Sequence, residues 1–157
     1  MRRAAAAAGC AIALGGCAED ESRAPLSRAE YEQRVREIVR ETEEAAPNSP
    51  SPTTPQEQAQ EMDAGLDRLR STADELAGLE PPPDVARAHA TFVEGLRAVA
   101  DDAEKLVSAL RAGDERRAEA MLDRGTLVNS AAARKIGRAR REFSEKGYDL
   151  GGVSEFP

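Results

Sequence analysis

The stretch DVARAHATFVEGLRAVADDAEKLVSALRAG (residues 84–113) decides the fold class of this chain of 157 residues. Its apolar side chains recur at intervals of three and four residues, which is the period of one face of an α-helix. The residues of that face are Val85, Ala88, Phe92, Leu96, Val99, Ala103, Leu106 and Leu110. With Asp84 as the predicted N-cap and Gly113 as the stop signal, the pattern predicts a helix over residues 84–112.

Two strong helix starts precede this stretch. Ser27 with Glu30, and Thr54 with Glu57, have the spacing of a capping box, in which each side chain accepts a hydrogen bond from the other residue's backbone N–H. The helix that Thr54 begins carries a narrow apolar seam of the coiled-coil kind. The seam consists of Ala59, Met62, Leu66, Leu69, Ala73 and Leu76. Such a seam makes self-association one of the possible functions of the chain.

A further helix is predicted after Gly113, with Asp114 as its cap and Gly147 as its stop signal. Gly125 and Gly137 each weaken it by about 1 kcal/mol relative to alanine, so a break within it stays open. No stretch alternates in the manner of a strand. The sequence therefore predicts an all-α fold, an antiparallel up-down four-helix bundle with a disordered N-terminal signal and tether and a loose C-terminal tail. The predicted bundle covers residues 27–146 and consists of helices over 27–46, 55–79, 84–112 and 114–146. A proline-rich linker over residues 47–54 joins the first two helices, and a flexible tail over residues 147–157 follows the last.

The first residues have the order of an export signal. Arg2 and Arg3 precede the apolar run AAAAAGCAIAL (residues 4–14), which is too short to span a bilayer. Two glycines and Cys17 follow, and then charged sequence begins. The four residues LGGC (residues 14–17) resemble the lipobox of bacterial lipoproteins.

The resemblance to lipoproteins implies a signal peptide over residues 1–16 and a diacylglycerol on Cys17. Residues 17–26 would then be a lipidated tether, and the protein would be anchored to the extracytoplasmic face of the cell membrane. Three alternatives stay open: an ordinary secretory signal that contains a cysteine, a transmembrane anchor, and lipidation at Cys10, whose AAGC context is a poorer version of the pattern.

A second resemblance concerns the helices. The stretches YEQRVREIVRET (residues 31–42) and LAGLEPPPDVARAHATFVEGL (residues 76–96) resemble small exported helical-bundle proteins of actinobacteria. This resemblance implies a fold more than a function.

The charge balance of the chain opposes a general role in nucleic-acid binding. Cleavage before Cys17 would leave 141 residues with 20 basic and 29 acidic side chains, a net charge of −9. Nucleic-acid binding requires a basic surface. A mature chain whose one cysteine is acylated and that has one histidine offers little for catalysis or cofactor binding, so no enzyme activity and no cofactor are predicted.

Three groups of side chains could still carry chemistry. His89, the one histidine, is predicted to be a partly exposed surface residue rather than a metal ligand. Asp101, Asp102 and Glu104 are predicted to form a solvated polar face.

The third group is basic. Arg134, Arg138 and Arg141 share a helical face by their spacing of four and three. They either complement the dipole of a helix C-terminus or contact anionic lipid headgroups.

Two functions are consistent with these observations. The first is a membrane-anchored, non-enzymatic protein-interaction module that binds another protein of the cell envelope. The alternative is a helical bundle that binds a small molecule or a metal in a cavity near His89 and Phe92. A closed core with an exposed charged face would favour the first, whereas buried polar groups that converge on a cavity would favour the second.

Overall fold

The computed structural model describes residues 24–45, 52–123 and 130–151 of the chain. Within these ranges the protein is all-helical and contains no strand, as the sequence predicts. The five helices are α1 (Arg28–Glu44), α2 (Pro55–Ala77), α3 (Ala86–Arg111), α4 (Glu115–Asp123) and α5 (Ala131–Glu145). No helix in the described part of the chain is both long and apolar enough to cross a membrane. The predicted signal peptide, Cys17 and residues 47–51 of the predicted linker lie outside the described residues.

The first two helices begin at the predicted capping boxes. The N–H of Ser27 donates to the Glu30 carboxylate at 2.9 Å, and the N–H of Thr54 donates to the Glu57 carboxylate at 3.1 Å. Each hydroxyl accepts a hydrogen bond from the backbone of its glutamate in return. Hydrogen bonds from Ser27 lower the pKa of Glu30, and those from Thr53 and Thr54 lower the pKa of Glu57, because they favour the charged carboxylate.

The start of α3 differs from its prediction. Val85 is the N-cap and makes no side-chain capping bond. Asp84, the predicted cap, instead accepts a hydrogen bond from the Tyr148 hydroxyl at 2.9 Å. The Asp84 carboxylate therefore holds the segment after α5 against the start of α3 and does not cap the helix.

The predicted helix over residues 114–146 is present as two helices, α4 and α5. Asp114 caps α4 as predicted, since its carboxylate accepts from the Arg117 N–H at 3.1 Å. A second cap follows at Ser130, whose hydroxyl accepts from the Ala133 N–H at 3.0 Å and begins α5. Residues 124–129, which include Gly125, lie outside the described residues. Gly137, the other expected weak point, lies inside α5.

The helix α3 lies at the centre of the structure and packs against α2, α4 and α5, while α1 packs against α2. The buried part of α3 extends well beyond the predicted face. The additional buried residues are His89, Val93, Gly95, Ala100, Val107 and Ala109. A Cβ atom on Gly95 would lie 2.6 Å from Cγ1 of Ile136 in α5, so glycine is what permits these two helices to approach so closely.

The core is aromatic at one end and built of small residues at the other. Every aromatic side chain of the described ranges lies in the first part. Its rings are Tyr31, His89, Phe92, Phe143 and Tyr148. The other part consists mainly of alanine, leucine and valine from α2 and α3.

The predicted loose tail is wrong over its first residues. Tyr148 and Leu150 are buried, at 8% and 3% exposure, and belong to the aromatic part of the core. The Arg28 guanidinium lies 4.7 Å from the centroid of the Tyr148 ring and also donates to the Gly147 carbonyl. Burial of the Leu150 side chain contributes about 1.5–3 kcal/mol, and together with the buried Tyr148 ring and the Arg28 contacts it offsets the entropy that a free tail would keep. Residues 152–157 lie outside the described residues.

Candidate functional site

The buried pair of Tyr31 and His89 is the first candidate site. Tyr31 lies on α1 and His89 on α3, and the Tyr31 hydroxyl is 2.9 Å from His89 Nδ1. The side chains are only 1% and 6% exposed, and their rings pack edge to face with centroids 5.7 Å apart. Either tautomer of the imidazole allows this hydrogen bond, because the hydroxyl can donate or accept. The predicted surface position of His89 is therefore wrong.

The second ring nitrogen of His89 is buried without a hydrogen-bond partner in the described part of the chain. Burial lowers the pKa of His89, although the nearby Leu76 carbonyl, which does not meet hydrogen-bond geometry with Nε2, and the Glu80 carboxylate act in the opposite direction. Burial also raises the pKa of Tyr31, and the nearby Tyr148 adds to that effect. Both groups are thus held in their neutral forms at pH 7.

The chemistry available to this pair is limited by its surroundings. A metal site needs several ligands that converge on one point. Among the described residues no group of three or more His, Cys, Asp and Glu side chains could hold a metal ion. The pair joins α1 to α3 through a polar contact in the middle of packed rings.

A second candidate is a groove between the first two helices, which we call the α1–α2 groove. It has a volume of about 660 Å³ and is open to solvent. Its apolar lining comes mainly from Leu26, Ile38 and Leu79, and its charged lining consists of five carboxylates and one arginine. The charged residues are Arg34, Glu37, Glu41, Asp74, Glu75 and Glu80. None of the five rings in the aromatic part of the core lines this groove.

The two walls of the groove are joined by hydrogen bonds. The Leu26 N–H donates to the Glu80 carbonyl at 2.9 Å, and the hydroxyls of Thr42 and Thr72 lie 2.7 Å apart. These contacts tie the segment before α1 to the segment after α2, and the end of α1 to the C-terminal part of α2. The groove was not predicted from the sequence, because a set of charges on two helices reveals a common surface only when the packing of those helices is known.

The structure places the three predicted basic residues on the exposed surface of α5. Arg134, Arg138 and Arg141 are all exposed. Because Arg28 donates to the Gly147 carbonyl, the start of α1 and the end of α5 are neighbours. At 1.5 Å per residue, the three arginines extend over about 10 Å along the side of α5, so they form a stripe and not a cluster at the helix end. Their contact with a membrane stays a prediction.

The predicted acidic face of α3 forms ion pairs at the surface. Lys105 donates to Asp102 at 2.7 Å within the helix, and Arg70 of α2 donates to Glu104 at 2.7 Å. Asp101 is exposed. These contacts fit the predicted solvated polar face.

The chain was also compared with known proteins. No protein-family model, no curated protein and no solved structure matches it. The class that can be stated is therefore an all-helical protein with a closed, partly aromatic core and an open acidic groove.

Proposed function

We propose that this protein is a lipid-anchored, non-enzymatic interaction module on the extracytoplasmic face of the cell membrane, where it binds another protein of the envelope. The single observation that carries the proposal is the contrast between core and surface. The polar pair in the core is enclosed by packed rings, whereas the α1–α2 groove is open and highly charged. A surface of this kind suits a partner better than a substrate that must be enclosed.

The anchoring part of the proposal rests on the sequence LGGC and on the position of the first described residues. The bond between Arg28 and Gly147 brings the start of α1 next to the end of α5. A tether that leaves Cys17 would thus enter the fold at the end where α5 finishes. The stripe of arginines on α5 could then rest on anionic headgroups, where each cation contributes about 1 kcal/mol.

A bundle that binds a metal or a small molecule is the second candidate. The observation that favours it is the buried His89 Nε2 atom, which has no partner among the described residues. Titration of the purified protein with Zn²⁺, Fe²⁺ and Cu²⁺ in a calorimeter tests it. A stoichiometric site that disappears in His89→Ala would favour this candidate over the interaction module.

The anchoring is tested by feeding cells radiolabelled palmitate. We expect the label to enter the wild-type protein and the Cys10→Ala control but not Cys17→Ala. Label that remains in Cys17→Ala, or that is lost only in Cys10→Ala, would contradict the assignment.

The interaction itself is tested by crosslinking in intact cells. We expect the lipidated protein to form a discrete crosslinked species with one envelope protein, and Cys17→Ala to form less of it. Crosslinks spread over many unrelated proteins would count against a specific module.

A further inference from the structure

The α1–α2 groove carries an inference about the chemistry of the partner. We propose that the groove binds a short cationic segment of an envelope protein, with lysine or arginine side chains beside its carboxylates and apolar side chains on its floor. This proposal deepens the proposed function and rests on it.

The charge of the groove is the first argument. The single arginine in its lining, Arg34, is already paired with Glu37 at 2.6 Å. Asp74 is paired with Arg97 at 2.7 Å, which lies outside the groove. The Glu41 carboxylate has no ion pair or hydrogen bond among the described residues. The unbalanced charge is therefore negative, and it favours a cationic occupant while repelling anions.

The arrangement of the charges along α1 is the second argument. Arg34, Glu37, Ile38 and Glu41 follow one another at helical intervals, so they form a single stripe along one wall. Two of the carboxylates thus lie one turn apart with an apolar side chain beside them. An extended or helical segment with cations about one turn apart would match this spacing.

The floor of the groove is the third argument. Ile38 is buried, and Leu26 and Leu79 are partly buried and pack against the aromatic part of the core. A free cation or a polyamine would need only the carboxylates. An apolar floor between acidic walls instead matches a peptide that carries both lysine or arginine and leucine-like side chains.

The position of the groove places its occupant near the membrane. Ala24 is part of the lining and is seven residues from Cys17. Seven residues reach at most about 25 Å when fully extended. If Cys17 carries the lipid, the cationic segment lies close to the bilayer, in the membrane-proximal part of the partner.

The experiment uses the full-length lipidated protein in neutral phosphatidylcholine vesicles, with empty vesicles as the blank. The probe is a fluorescent peptide, KLAKKLAK, and binding is followed by anisotropy. A glutamate version, ELAEELAE, and a leucine-free version, KSAKKSAK, are the peptide controls. We expect saturable binding of KLAKKLAK, no binding of the glutamate version and weaker binding of the leucine-free version.

Two charge-matched variants locate the site. The groove variant is Glu41→Gln/Glu75→Gln/Glu80→Gln, and the control is Glu61→Gln/Glu115→Gln/Glu119→Gln, which removes three exposed carboxylates elsewhere. We expect the groove variant to lose at least about fivefold in affinity and the control to stay within about twofold, because distant exposed charges are screened by salt. Glu41→Lys, compared with Glu61→Lys, gives the same test with one substitution in case the triple variant does not fold.

Three results would overturn the proposal: no binding of KLAKKLAK, equal loss in the groove and control variants, or equal binding of the leucine-free peptide. Each readout compares peptides or variants on the same lipidated protein, so a difference between them does not come from the acyl group. Palmitate labelling and the cell crosslinks can therefore succeed while the peptide experiment fails, and such a result would remove only the groove proposal.

Discussion

Replacing Tyr31 with phenylalanine would remove a single oxygen atom from the aromatic part of the core. That oxygen lies 2.9 Å from His89 Nδ1, and both side chains are almost fully buried. Since Nε2 already has no partner in the described part of the chain, Tyr31→Phe would leave both ring nitrogens of a buried imidazole unsatisfied. A buried polar group that loses its partner costs about 1–3 kcal/mol, so we expect the free energy of unfolding to fall by that amount.

A double-mutant cycle separates the hydrogen bond from the general loss of packing. Tyr31→Phe and His89→Leu each leave one polar partner behind, whereas the double variant leaves neither. We expect the double variant to be more stable than the sum of the single effects predicts, by about 1 kcal/mol. Urea unfolding followed by circular dichroism measures all four proteins. A coupling energy of zero would contradict the reasoning.

The same pair predicts a pH dependence with a definite sign. Burial lowers the pKa of His89 below its ordinary value of 6.5, so the unfolded chain binds more protons than the folded one as the pH falls through that value. Stability contributed by neutral His89 is therefore complete above pH 6.5 and is lost as the pH falls below it. We expect wild type to lose stability between pH 7 and pH 5.5 and His89→Leu to lose clearly less. Equal slopes in the two proteins would refute this account.

Other positions give sharp tests as well. Gly95→Ala should destabilise the protein by about 1–3 kcal/mol, because its new methyl group would overpack against Ile136. Gly65→Ala, whose Cβ would meet only the end of Arg68 at 3.8 Å, should stabilise the protein by up to about 1 kcal/mol. Thermal unfolding compares the two variants, and equal effects would contradict the close approach of α3 and α5. Truncation after residue 146 should lower the melting temperature much more than truncation after residue 151, because only the first removes the buried side chains of Tyr148 and Leu150. Similar losses in the two truncated proteins would mean that these side chains do not stabilise the fold. A domain of residues 18–157 should bind vesicles weakly, and the binding should increase with their anionic lipid content and decrease with added salt. Changing three arginines of α5 to glutamine should weaken the binding further. Binding that is unchanged in that variant would leave the stripe on α5 without a membrane role. The three arginines are Arg134, Arg138 and Arg141.

Local signals in the sequence predicted the helices well. A capping box needs only two residues three positions apart, so Ser27 with Glu30 and Thr54 with Glu57 could be recognised without any knowledge of the fold. The seam of α2 follows a simple period and is buried or partly buried along its length. Ser130 was the available signal for a second helix start, because serine is a preferred N-cap, but continuous apolar spacing concealed it.

The contacts between distant residues could not be predicted in the same way. His89 is flanked by alanines and looks unremarkable in the sequence, and its burial depends on a tyrosine 58 positions earlier. The hydrogen bond that Tyr148 donates to Asp84, 64 positions earlier, likewise depends on how the tail packs against the start of α3. The α1–α2 groove depends on how two helices pack, which their separate apolar periods do not determine. The candidate site therefore came from tertiary structure, whereas the fold class came from local pattern.

The uneven core has a mechanical consequence. If a membrane pulls on the segment before α1, the load enters the molecule at Leu26, whose N–H is bonded to the Glu80 carbonyl. The next turn of α1 carries Tyr31, which packs against the rings of His89, Phe143 and Tyr148. Force from the tether would thus act first on the aromatic part of the core, where the largest side chains pack together. The part of α2 and α3 that is built from small side chains lies farther from the tether along the chain and does not bear that load directly. We expect this part to open first in thermal fluctuations.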